Sequence, residues 1–168
     1  MDKRLIILTA LTGLVMTFIS FPDGAFSVLV IIALTLPAIF IMQKYPEKKH
    51  FLINIFLLGL LLRLWLGIVI HIFDLRETFG PDAFTYNNLG QRLREIWMGV
   101  NVPNDIRTQL AISPTNTGWG MIRIVAILYM IFGQSILAAQ SFCAVFGALT
   151  APMVYFCAEK IFNNKRVS

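Results

Sequence analysis

Asp82 is the residue whose type and setting most suit chemistry. It stands just ahead of residues 83–97, where Leu89, Leu93, Ile96 and Trp97 fall on one helical face and Gln91, Arg92 and Arg94 lie elsewhere. Two roles are open to it. As the residue before a helix it can cap exposed backbone N–H groups, a contribution of about 1 kcal/mol. As a carboxylate at a membrane surface it can instead accept a proton from a hydroxyl, or hold a divalent cation. Tyr86 follows one helical turn later, so it can share a face with Asp82 and position it. A tyrosine there also suits the aromatic belt at the headgroup level.

Two arginines stand out for their surroundings. Arg63 interrupts a long apolar run, where a cation costs roughly 2.5–3.5 kcal/mol on insertion scales and so points to function. It can pair with a carboxylate from another helix or approach a lipid phosphate. Arg123 lies in a shorter apolar stretch, where headgroup anchoring is the simpler role. His71 and Asp74 have a spacing that permits a shared metal, although such a pair is more often an interfacial hydrogen bond. No glycine-rich phosphate loop, Ser-His-Asp order or CxxC pair is present. Cys143 and Cys157 share one apolar segment; on a single helix they stand about 21 Å apart, too far to bridge.

The elements that must position these residues are membrane helices. The chain has 168 residues, 57% hydrophobic and 14% charged, with a mean hydropathy of +0.73. Soluble domains average about 45–50% apolar and about 25% charged. The net charge of +5 does not indicate nucleic acid, because the lysines and arginines sit mostly at the ends of apolar runs rather than on one basic face. Four spans are expected, at 5–20, 26–42, 51–73 and 135–162, with Phe21-Pro22-Asp23-Gly24 turning between the first two and Pro37 kinking the second. The first is a retained helix, since residues 20–25 offer no small-residue cleavage site for a signal peptide. Residues 119–132 make only about 21 Å of helix, which suits a juxtamembrane position better than a crossing.

Charge parity agrees. With 119–132 on one side, Lys3 and Arg4, then Lys44, Lys48 and Lys49, then Lys160, Lys165 and Arg166 all share one face of the membrane. The positive-inside rule then puts both termini in the cytoplasm and residues 74–133 outside.

Within that outer loop, Phe79-Gly80-Pro81-Asp82-Ala83-Phe84-Thr85-Tyr86 and Asn87-Asn88-Leu89-Gly90 resemble the first external loop of the GT-C superfamily of glycosyltransferases, in particular its bacterial protein-mannosyltransferase-like group (glycosyltransferase family 39-like). The stretches Ile127-Leu128-Tyr129-Met130-Ile131-Phe132-Gly133-Gln134-Ser135, Leu137-Ala138-Ala139-Gln140, Gly147-Ala148-Leu149-Thr150-Ala151 and Ala158-Glu159-Lys160-Ile161-Phe162 are similar to that family's interfacial helix and second core helix. The resemblance covers residues 57–166, about two-thirds of the chain.

It implies an all-α polytopic membrane enzyme of the bacterial plasma (inner) membrane. The reaction would be transfer of a sugar from a polyprenyl-phosphate donor, with inversion, to a glycan, lipid or protein acceptor at the outer face. Asp82 would be the catalytic base, and Tyr86, Arg63 and Arg123 would contact substrate. The lipid-linked sugar is the implied co-substrate, with a divalent cation on its phosphate as an optional partner. The layout expected is an N-terminal hairpin at 1–43 and a GT-C-like module at 44–168, with external loop 74–118, juxtamembrane helix 119–132 and last span 135–162. Family members carry many more membrane helices, so the expectation is a fragment or one piece of a split protein, inactive alone and completed by a second chain. The competing expectation is a non-catalytic membrane scaffold or assembly partner whose loop binds another protein.

Overall fold

The computed structural model describes residues 2–73, 75, 81–100, 108–109, 113 and 120–162. Among these residues there is no strand, and six helices carry the architecture: α1 Lys3–Ile19, α2 Asp23–Gln43, α3 Lys49–Ile72, α4 Pro81–Trp97, α5 Gly120–Phe132 and α6 Ile136–Phe162. The all-α expectation holds.

Helices α1, α2, α3 and α6 form a bundle, and three contacts fix their directions. The Asp2 N–H donates to Asn54 Oδ1 at 3.1 Å, while Ser20 Oγ and His71 Nε2 are 2.8 Å apart at the other end, so α1 and α3 run the same way. Lys48, just before α3, pairs with Glu159 in the last turn of α6, so those two are antiparallel. The Glu159 hydrogen bond raises the Lys48 pKa from its ordinary value. One end of the bundle therefore gathers Lys3, Arg4, Lys44, Lys48, Lys49 and Lys160.

The core is apolar. Leu52, Phe56, Leu60 and Leu64 recur every four residues along α3 and pack against Leu137, Val145 and Ala148 of α6, Met16 of α1 and Ile31, Ala38 and Met42 of α2. Small residues let the backbones approach. A Cβ on Gly24 would lie 2.0 Å from the Met16 carbonyl oxygen, and one on Gly59 would lie 3.8 Å from Ala148. Gly24 is thus inside α2, where it receives the last turn of α1, and not in the turn between them.

Three helices, α2, α3 and α6, are long and apolar enough to cross a membrane. Helix α1, the fourth expected span, has 17 residues and is about 26 Å long, short of the roughly 30 Å hydrocarbon core. Helix α5, with 13 residues, is shorter still, as expected. It ends at Gly133, whose φ of +76° is the left-handed conformation that closes a helix. Ser135 then starts α6, its Oγ accepting the Ala138 N–H at 3.3 Å.

Helix α5 lies against α4 through Leu89, Leu93, Ile122 and Ala126. Its other side meets Val30 and Phe26 near the start of α2, the Phe26 and Phe132 rings being 5.6 Å apart. The α4–α5 pair thereby sits on the end of the bundle opposite the lysines.

Candidate functional site

Where the α4–α5 pair meets the bundle it leaves a cavity of about 250 Å³. Ala83, Tyr86 and Asn87 of α4 form one wall, and Met121, Val125 and Tyr129 of α5 another. Ile70 of α3 and Ile136, Ala139, Gln140 and Cys143 of α6 close it on the membrane side. The walls are mostly apolar, with two phenols, Tyr86 and Tyr129, and two amides, Asn87 and Gln140, as the polar exceptions.

Those groups are organised. The buried Tyr129 hydroxyl donates to Asn87 Oδ1 at 2.8 Å, and Gln134 Nε2 reaches the same oxygen at 3.4 Å. Burial, with the negative charge of Asp23 second, pushes the Tyr129 phenol up to about 12, so it stays a neutral donor. Sequence reasoning missed Asn87, Tyr129 and Gln140 as site residues. Their signal is that each is a polar group on an otherwise apolar helical face, visible only once the faces are known.

Asp82 is exposed and does not line the cavity; it stands in α4 one residue before Ala83 and one turn before Tyr86, which do. Pro81 begins α4, so Asp82 lies inside the first helical turn and not at the capping position ahead of it. A carboxylate in the first turn is favoured by the helix dipole. Tyr86 is half-buried between the two apolar clusters that hold α5, making it part of the cavity wall.

The two arginines are elsewhere. Arg123 Nη2 donates to the Ser113 carbonyl at 3.2 Å, and Arg92 Nη1 to Thr108 Oγ1 at 2.9 Å, so both hold residues after α4 against the helix pair. Arg63 lies farther along α3, exposed, against Gly147 of α6. Of the four residues expected to act, Tyr86 lines the cavity, whereas Asp82, Arg63 and Arg123 do not. His71 is engaged with Ser20, and Asp74 lies outside the described residues. Among the described residues no three His, Cys, Asp or Glu side chains gather as for a metal ion.

An apolar cavity with amide and phenol groups in its wall suits the apolar part of an amphiphile. Comparison of the chain with protein-family models, with curated proteins and with solved structures gives no match in any of the three.

Proposed function

We propose that this chain is the loop-bearing part of an integral membrane glycosyltransferase of the GT-C type. It transfers a sugar from a polyprenyl-phosphate donor to a hydroxyl acceptor at the outer face of a bacterial plasma membrane. The observation that carries the reading is an apolar cavity lined by Ala83 and Tyr86 of α4, the helix whose first turn holds the exposed Asp82. In the reaction the acceptor oxygen attacks the anomeric carbon as the bond to the polyprenyl phosphate breaks, and Asp82 takes the acceptor's proton. The side of attack opposite the departing phosphate gives inversion. Tyr86 offers a ring face to the sugar, and the cavity receives the first isoprene units of the donor.

Four crossings fit this reading, with α1 tilted little and its shortfall met by local thinning of the bilayer. Gathering of six lysine and arginine side chains at one end of the bundle supports placing that end in the cytoplasm and the cavity outside.

The test is Asp82→Asn in membranes that hold the intact enzyme, assayed with a radiolabelled polyprenyl-phosphate sugar. Turnover should fall by about 10²–10⁴-fold, the usual contribution of a general base, while the protein stays folded. Unchanged turnover would remove Asp82 as the base. If Asp82 and Tyr86 prove replaceable while the buried face of α4 at Leu89 and Leu93 does not, the scaffold reading takes over.

A further inference from the structure

Arg63 is the side chain that the sugar-transfer site leaves unused. It lies about 21 Å from the start of α3 and about 14 Å from its end, at mid-depth in a helix long enough to cross a bilayer. Its guanidinium rests in a notch made by the missing side chain of Gly147: a Cβ there would lie 2.9 Å from both its Cζ and its Nε. Among the described residues nothing hydrogen-bonds to it or forms an ion pair with it. The adjacent residues Leu62 and Phe146 are exposed and apolar, and Thr150 Oγ1 donates to the Gly147 carbonyl at 2.6 Å.

An unpaired guanidinium at that depth is costly and demands an anion. A headgroup phosphate is about two and a half helical turns away at either end or more, farther than the arginine stem reaches. A second copy of the chain is excluded by its own sequence. In α1, α2, α3 and α6 the acidic residues are Asp23, which opens α2, and Glu159, in the last turn of α6, neither at the depth of Arg63. The missing charge must come from another helix.

We infer that Arg63 and the Gly147 notch form a docking face for a membrane helix from outside these 168 residues that carries an aspartate or glutamate at mid-bilayer depth. Gly147 lets the guanidinium lie close against α6, where a carboxylate on a helix packed there would meet it with both oxygens. This face is separate from the sugar-transfer site and needs nothing from it.

The test uses the whole chain in phosphatidylcholine vesicles, labelled with a fluorescence donor at its N-terminus. Acceptor-labelled polyleucine helices with Glu, Gln or Leu at their centre are added. The Glu helix should bind about tenfold more tightly than the Leu helix, the scale of one interhelical polar pair. That preference should vanish in Arg63→Leu and return in part in Arg63→Lys. Arg63→Gln serves as the neutral variant if Arg63→Leu elutes from detergent as aggregate. Equal binding of the three helices, or a Glu preference that survives loss of the charge, overturns the inference. So does Arg63-dependent retention of phosphatidylglycerol in native mass spectrometry without a helix preference, which would make a lipid phosphate the partner. Arg63-dependent self-association in the vesicles overturns it likewise.

Discussion

In α4 the buried residues are gathered on the face that touches α5: Leu89 is 4% exposed and Leu93 3%, while Gln91 and Glu95 bond to each other on the polar side. In the four-helix bundle the outward faces are as apolar as the inward ones, Phe18 being 81% exposed and Leu62 62%. The contrast reflects two solvents. Water drives the leucines of α4 onto α5, because burial removes apolar area from water. Lipid gives no such drive to the bundle, so its helices associate through close backbone approach at small residues such as Gly24. One contact is selected by what it hides and the other by how near it lets two backbones come.

Three substitutions sharpen that contrast. Gly24→Ala should have the largest effect, because its Cβ would meet the Met16 carbonyl, a backbone group with no freedom to turn aside. A loss of about 3 kcal/mol or more is expected, at the upper end of overpacking costs, read as lower thermal stability in detergent. A midpoint indistinguishable from the parent's would mean that the α1–α2 contact is not a close-approach contact at all. Gly90→Ala should cost less, about 1–2 kcal/mol, since its Cβ would lie 2.6 Å from a side-chain methyl, Cγ1 of Val125. Here Val125→Ala in the same chain should return part of the loss, a coupling that a double-mutant cycle measures. Additive losses would show that α4 and α5 do not meet at these residues.

Tyr129→Phe should have the smallest effect, about 1 kcal/mol for one hydrogen bond to Asn87. It carries a pH signature. A phenol pushed up to about 12 in the folded protein, against 10.0 otherwise, resists ionisation only while folded. The folded state then holds its proton where the unfolded state has lost it. The stability tied to the neutral hydroxyl is complete below about pH 10 and is lost as the pH rises toward 12. Tyrosinate absorbance should therefore lose its latest-titrating component in Tyr129→Phe. An unchanged titration curve would place the phenol in water and open the cavity wall.

The helices were legible in the sequence because each depends on local pattern. The apolar runs, the amphipathic spacing of Leu89 and Leu93, and the separateness of 119–132 from the span that follows all survive in the structure. Length separates α1 from the other three expected spans, since a helix of 17 residues falls short of the hydrocarbon core. Asp82 was legible as a polar residue at a helix start, but its register was not. Pro81 takes the first helical position and moves Asp82 from the cap into the first turn.

By itself the sequence determined the solvent this protein requires, the helices and the acidic residue at the head of α4. Composition and periodicity are sums over neighbouring residues, and such sums need no knowledge of what lies across a contact. The tertiary structure alone decided that Tyr86, Asn87, Tyr129 and Gln140 share one cavity, and that Arg63 lies against Gly147 instead of joining them. Residues from four helices meet there, and their meeting depends on which faces pack, a choice that apolar runs with no polar face leave open.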